Sequence, residues 1–179
     1  MSKKVVLISA SARIRGNSDM LCDEFMRGVI DSGHSAEKIT LHQKNYKGCL
    51  GCGVCKTNGG TCIQKDDMAE ILEKLKNADV IVFATPVYFY SMNGQLKLFL
   101  DRTYPMYPQL KGKDFYFIIS GAAPTKEYMS ITIDSLRGYL SCIPNAKEKG
   151  IVYGVNAGNK GDVSNSKAMK SAYKYGLNV

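Results

Sequence analysis

The chain has 179 residues, 45% hydrophobic and 22% charged, which predicts one globular domain over 1–179 with a substantial core. It carries 24 Lys and Arg against 16 Asp and Glu, and its formal charge of +8 favours anionic ligands such as phosphates and nucleotides. The basic residues are scattered and form no nucleic-acid motif, so no nucleic-acid partner is expected. No signal peptide or membrane-spanning stretch is recognisable. We therefore expect a cytoplasmic protein with no membrane partner, whose thiols stay reduced.

Apolar runs and helical spacing alternate along the chain. Five strands alternating with helices predict an α/β fold built on a doubly wound parallel sheet. In such sheets, ligands bind beyond the carboxyl ends of the strands, where the strand order reverses. The predicted strands cover residues 4–9, 36–41, 79–85, 114–121 and 150–155, and the predicted helices cover 18–32, 66–77, 94–104, 127–140 and 166–175. The candidate site is therefore formed by the loops 9–18, 85–91 and 120–125.

The loop after the first predicted strand combines hydroxyl, amide and guanidinium groups at the start of a helix. Residues 11–18 read Ser-Ala-Arg-Ile-Arg-Gly-Asn-Ser. Backbone N–H groups and the helix dipole favour an anion there, and Arg13 can bind a phosphate through two hydrogen bonds. Alternatively, Asn17 or Ser18 only caps the helix and the arginines are solvated. The position of the loop after the first strand favours phosphate.

An aromatic loop follows the predicted central strand, with the sequence Thr-Pro-Val-Tyr-Phe-Tyr-Ser over residues 85–91. Pro86 would stiffen the turn, and a flat ligand ring could stack there while backbone amides bind its polar edge. The alternative is a hydrophobic plug between this loop and the next helix. The location at the carboxyl end of a strand favours the ligand.

Four cysteines with C-x2-C-x2-C-x6-C spacing lie in a loop at about residues 47–65, here called the cysteine loop. They are Cys49, Cys52, Cys55 and Cys62. The three closely spaced cysteines resemble the opening of an iron–sulfur ligand run, whereas zinc sites commonly use two separated pairs. A cluster, a zinc ion and four reduced thiols remain alternatives. Cys22 and Cys142 are expected in the core, and His34 and His42 in solvated or capping positions.

The two loops together resemble the phosphate loop and the flavin-ring loop of the NADPH-dependent FMN reductase family. The resemblance covers nearly the whole chain, although Ala10 and Ala12 stand where the family commonly has Gly and Pro. It implies a flavodoxin-like five-stranded sheet, order 2-1-3-4-5, with FMN as the cofactor. The implied phosphate ligands are Ser11, Arg13, Asn17 and Ser18, and the implied flavin-ring contacts are Pro86, Val87, Tyr88, Phe89 and Gly121. In the helix that follows, Asp101 and Arg102 are expected to form a structural ion pair.

Within this family, the cysteine run resembles the motif of the iron–sulfur flavoproteins, which bind a [4Fe–4S] cluster close to FMN. This resemblance implies Cys49, Cys52, Cys55 and Cys62 as cluster ligands. No catalytic side chain is expected, because a flavin itself carries the redox chemistry.

The resemblance implies an FMN-dependent NAD(P)H oxidoreductase that passes electrons to a flavin, quinone or similar acceptor. One alternative is an electron carrier that uses FMN and the cluster between protein partners, such as a ferredoxin-like protein. Another is a redox or metal sensor based on the cysteine loop alone. A homodimer or homotetramer is also implied, with Tyr104 and Tyr107 as candidates to cover a neighbour's flavin.

Overall fold

The structure is a computed structural model that describes residues 2–179. Its strands are β1 (Lys4–Ser9), β2 (Ser35–Thr40), β3 (Val80–Tyr88), β4 (Ser91–Met92), β5 (Asp114–Ser120) and β6 (Lys147–Gly154). Its α-helices are α1 (Asn17–Asp31), α2 (Met68–Lys76), α3 (Gly94–Arg102), α4 (Ser130–Ser141) and α5 (Lys167–Leu177). Across residues 2–179, none of these helices combines the length and the apolar character needed to span a membrane.

The main sheet has the order β2-β1-β3-β5-β6, and each neighbouring pair is parallel. The short β4 pairs only with β3, in antiparallel fashion. With β4 left aside, this order is the expected 2-1-3-4-5 of a flavodoxin-like fold, and the prediction is confirmed. The central strands are continuous apolar runs because helices cover both faces of a parallel sheet. One apolar cluster therefore lies on each face, with Phe83 in one and Phe25 in the other.

The prediction of a turn at Pro86 is wrong. Pro86 lies within β3 and is in register with Ser120 of β5. The chain then reverses through a two-residue hairpin turn into β4, because Phe89 and Tyr90 adopt left-handed φ values of 50° and 62°. A two-residue hairpin turn with positive φ at both positions matches the twist of its strands, but bulky residues adopt this backbone at a cost.

Helices α1 and α5 pack with their backbones in close contact. A Cβ atom on Gly28 of α1 would overlap the Tyr173 carbonyl oxygen and lie 2.9 Å from the Leu177 nitrogen. A Cβ atom on Gly176 of α5 would overlap the Phe25 carbonyl oxygen. Glycine is therefore needed at this crossing to make room for the opposing backbone.

Candidate functional site

A cavity of about 230 Å³ lies at the carboxyl ends of β1, β3, β5 and β6, and we call it the edge cavity. Eight of the nine residues expected to contact FMN line it: Ser11, Arg13, Asn17, Ser18, Pro86, Val87, Tyr88 and Gly121. The ninth, Phe89, lies at the β3–β4 hairpin turn and is fully exposed. The sheet edge therefore brings together side chains from three separate segments of the sequence.

Five further residues line the edge cavity. Gly16, Ser120 and Ala122 lie in the predicted loops 9–18 and 120–125 but were not named individually, whereas Ala157 and Gly158 lie outside the three predicted loops. Ala157 and Gly158 follow β6, so applying the strand-end rule to the last strand as well would have found them. A Cβ atom on Gly121 would lie 3.3 Å from the Val87 Cβ, and one on Gly158 would lie 3.3 Å from the Ala122 Cβ. Small residues thus keep this wall open for a flat ligand.

The loop between β1 and α1 is folded around the Ser11 hydroxyl. The Ser11 hydroxyl donates to the Arg13 carbonyl (2.8 Å) and accepts from the Arg13 amide (3.2 Å). Gly16 precedes α1, and a Cβ atom there would overlap the Ser11 Oγ. The loop therefore presents the first backbone N–H groups of α1 in a pre-organised arrangement that suits an anion.

A buried carboxylate supports this loop from below. Asp19 accepts hydrogen bonds from the Ser9 hydroxyl (2.7 Å), from the backbone N–H of Arg15 (3.1 Å) and from the Lys38 ammonium (3.0 Å). Arg15 has a left-handed φ of 53°, and its bond to Asp19 helps to stabilise this backbone. Burial opposes the charge on Lys38, but hydrogen bonds to Asp23 and Asp19 outweigh it and raise the pKa of Lys38. The Lys38 cation balances the carboxylates of Asp19 and Asp23 below this loop.

Two side chains from outside the loop hold its backbone. His42, just after β2, places Nδ1 3.0 Å from the Ser11 carbonyl oxygen. Asn93 donates to the Ala10 carbonyl (2.5 Å), and its side-chain oxygen accepts from the Leu96 amide at the start of α3. One asparagine therefore joins the backbone of the β1–α1 loop to the helix that follows the hairpin.

The Asn17 side chain is fully engaged with the segment after β6. Its amide nitrogen donates to the carbonyl oxygens of Ala157 (3.1 Å) and Asn159 (2.7 Å). Its amide oxygen accepts from the Gly161 backbone N–H (3.0 Å). The sequence singled out Asn17 as a direct phosphate ligand, whereas here its side chain fixes a wall of the edge cavity.

A second cavity of about 230 Å³, the cysteine cavity, is lined by Cys49, Cys52, Cys55, Cys62 and Arg102, among others. All six cysteines of the protein are free thiols. Within residues 2–179, no three His, Cys, Asp or Glu side chains converge closely enough to hold one metal ion. The four thiols therefore surround a space without forming a preformed single-ion site of the zinc type.

The remaining cysteines differ in burial. Cys22 is buried in α1, as expected, and this burial strongly raises the pKa of its thiol. Cys142 is exposed, so its expected place in the core is wrong. It caps the carboxyl end of α4, where the following Ile143 enters the core and the cysteine faces outward.

The expected ion pair between Asp101 and Arg102 is also wrong, because adjacent residues on a helix point in different directions. Asp101 pairs with Lys97 one turn earlier (2.7 Å), whereas Arg102 is buried and pairs through two nitrogens with Asp66 (2.7 and 2.8 Å). Burial disfavours the charged form of both groups, but the hydrogen bonds between Arg102 and Asp66 outweigh this effect. They raise the pKa of Arg102 and lower the pKa of Asp66. Arg102 also lines the cysteine cavity.

The order of the parallel strands defines a protein with a flavodoxin-like fold, with the edge cavity at the carboxyl ends of its strands. More specifically, the chain belongs to the NADPH-dependent FMN reductase family, whose model matches residues 3–147.

Two curated relatives are iron–sulfur flavoproteins. The chain is 41% identical to one from Methanocaldococcus jannaschii over 103 residues, which cover 58% of this chain and 53% of that protein. It is 32% identical to one from Archaeoglobus fulgidus over 180 residues, covering 96% of this chain and 78% of that protein. The match to the first relative thus spans about half of its length.

Among solved structures, the fold is similar to an NAD(P)H:quinone oxidoreductase from Methanothermobacter marburgensis. The TM-score is 0.79 at 18% identity, and the match covers 99% of this chain and 96% of that one. At this identity, the likeness supports the fold alone.

Proposed function

We propose that the protein passes electrons from NADH or NADPH through bound FMN to a flavin, a quinone or a similar small acceptor. One observation carries the proposal: eight of nine residues singled out for FMN line one cavity at the carboxyl edge of the sheet. That cavity joins an anion-binding helix start to an apolar strand end, as a phosphorylated flavin requires.

The chain's own residues would divide the work of holding FMN. Ser11, Ser18, Arg13 and the first N–H groups of α1 would bind the phosphate. Pro86, Val87 and Tyr88 would lie along the ring system, opposite the side-chain-free Gly121. Bound FMN would supply the ability to accept a hydride and pass the electrons on. The protein would contribute orientation and charge, with no acid–base side chain of its own.

The edge cavity would remain open to a second ligand beside the hairpin turn, where Tyr88 and Tyr90 are 41% and 57% exposed. These rings offer apolar contact area to a nicotinamide nucleotide or an aromatic acceptor. The positive net charge would favour approach of the nucleotide's phosphates. A homodimer or homotetramer is part of the proposal, and size-exclusion chromatography with light scattering measures it.

The test is FMN reconstitution of the purified chain, followed by steady-state oxidation of NADH and NADPH with riboflavin and a soluble quinone as acceptors. We expect one FMN per chain and turnover that depends on it. Failure to bind FMN would overturn the proposal. FMN binding without turnover, combined with reduction by a ferredoxin-like donor, would favour an electron carrier instead.

The electron carrier is the second candidate, and the cysteine cavity is the observation that favours it. Four thiols around one space suit a polynuclear centre, in which each thiolate binds a different iron, better than a single ion. Cys49, Cys52, Cys55 and Cys62 would hold such a centre. Iron and sulfide analysis after anaerobic reconstitution tests it, with about four irons per chain expected for a [4Fe–4S] centre.

Replacing Asn17 with Ala is expected to weaken FMN and riboflavin binding by the same factor, roughly 5- to 30-fold. The reason is that three backbone partners lose their bonds and the segment after β6 loosens. Fluorescence titration of the apoprotein with both flavins measures this. Ser18→Ala is the matched comparison, since loss of a phosphate contact weakens FMN alone. An Asn17→Ala effect confined to FMN would instead identify Asn17 as a phosphate ligand.

A further inference from the structure

One guanidinium group joins both ends of the cysteine loop. Arg102, in the last turn of α3, donates to the Lys47 carbonyl at 2.6 Å, just before the first cysteine of the run. It also binds the Asp66 carboxylate, which directly follows the loop. Inside this closure, Gln64 donates to the Gly48 carbonyl at 3.1 Å. The two flanks of the four-cysteine segment are therefore fixed to each other through one side chain.

Arg102 also lies close to the cysteine run, with Cys62 beside its guanidinium group. The side chain is 1% exposed, and its Nε is buried without a partner among residues 2–179. An N–H on a buried charged group is costly to leave without a hydrogen bond. The same side chain lines the cavity with all four cysteines. The positive charge of Arg102 therefore lies at the wall of the space that the thiols surround.

The chemistry of the cysteine cavity indicates what a buried cation at its wall would do. Thiolates are the form in which cysteines bind metals, so four of them around one centre concentrate negative charge. Hydrogen bonds to the sulfurs and nearby charge are the means by which proteins tune iron–sulfur potentials. A cation held rigidly at the wall stabilises the more negative, reduced form of such a centre.

We infer that Arg102 is a positioning residue for the cysteine loop and the fixed cationic neighbour of an iron–sulfur centre that this loop holds. The inference rests on the second candidate function, the use of the cysteine cavity for a cluster. Arg102 closes the loop through Lys47 and Asp66, and its charged side chain lines the cavity. It ligates no metal, and it takes no part in FMN binding, because the edge cavity is formed by other residues.

The experiment compares R102Q, R102K and the double variant R102Q/D66N with the wild-type protein. Each is reconstituted anaerobically with iron, sulfide and FMN. The readouts are iron and sulfide per chain, FMN per chain and the midpoint potential of the iron–sulfur centre. Arg137→Gln is the matched control, because it removes a guanidinium that pairs with Glu148, and neither of these residues lines the cysteine cavity. Circular dichroism reports whether each variant is folded.

We expect R102Q to retain FMN but to bind iron roughly 10- to 100-fold more weakly, the usual cost of losing a group that orients metal ligands. R102K is expected to keep the charge but lose the two-nitrogen contact with Asp66, so its iron content falls less. The double variant removes both charges and avoids leaving Asp66 unpaired in the protein. It is expected to fold, and to bind less iron or to show a more negative potential. Arg137→Gln is expected to match the wild-type protein.

Three outcomes would overturn the inference. The first is R102Q with the iron content and potential of the wild-type protein. The second is full restoration of both values in R102Q/D66N, which would reduce Arg102 to a structural role. The third is wild-type protein that binds FMN and turns over NAD(P)H but takes up no iron. This last result would leave the proposed oxidoreductase intact, so the two failures can be distinguished.

Discussion

Gly28→Ala is expected to lower the free energy of unfolding by about 3 kcal/mol or more. The added methyl group would meet main-chain atoms of Tyr173 and Leu177, which cannot move aside as a flexible side chain can. Helices α1 and α5 would have to separate, and the packing of the apolar cluster around the buried Phe25 would loosen. For a chain of this size, the loss corresponds to a thermal midpoint roughly 10 °C lower.

Two further glycine substitutions provide the comparison, one on α5 opposite Gly28 and one at a position of α4 with free space around it. Gly176→Ala is expected to destabilise similarly, because its methyl group would overlap the Phe25 carbonyl oxygen. Gly138→Ala adds the same group where nothing lies within 4 Å, so it is expected to stabilise by about 0.5–1 kcal/mol through helix propensity. Urea unfolding followed by circular dichroism measures all three. Equal stability of Gly28→Ala and the wild-type protein would contradict the close α1–α5 contact.

The strand order followed from the family resemblance, and the doubly wound parallel sheet itself could be predicted from the sequence because apolar runs of strand length alternate with amphipathic helices. The hairpin at Phe89 and Tyr90 could not, because two aromatic residues at positive φ oppose their own local preference. The pairing of β4 with the end of β3 makes this turn, and that pairing depends on the tertiary structure. Strain of this kind commonly lies at functional sites, and here it lies beside the edge cavity.

The candidate site was predictable at the level of segments and less so at the level of single side chains. Loops after β1, β3 and β5 converge because parallel strands end at one edge. Which atom a side chain contacts depends on segments far away in sequence. Asn17 binds the segment after β6, and Arg102 binds Asp66 across 36 positions. No local pattern encodes these pairs, and the Arg102 partner became visible only once α3 and the cysteine loop were placed together.

Arg13→Ala is expected to weaken FMN binding roughly 10- to 100-fold and to leave riboflavin binding unchanged. The Arg13 side chain lines the edge cavity, while the bonds that shape its loop are made by its backbone with Ser11. Removing the guanidinium should therefore delete a phosphate contact and preserve the loop. Riboflavin lacks the phosphate, so the ratio of the two dissociation constants isolates this contact from any general loosening of the cavity.

Arg15→Ala is the matched control for this phosphate contact. Arg15 lies two positions after Arg13 and does not line the edge cavity, so this variant removes one positive charge without removing the proposed phosphate contact. Its backbone bond to Asp19 remains, so the loop should stay folded. Wild-type protein and Arg15→Ala both retain the Arg13 guanidinium, whereas Arg13→Ala lacks it. Raising the ionic strength should therefore weaken FMN binding more in the first two proteins than in Arg13→Ala. Equal loss of FMN and riboflavin affinity in Arg13→Ala would place the FMN phosphate elsewhere.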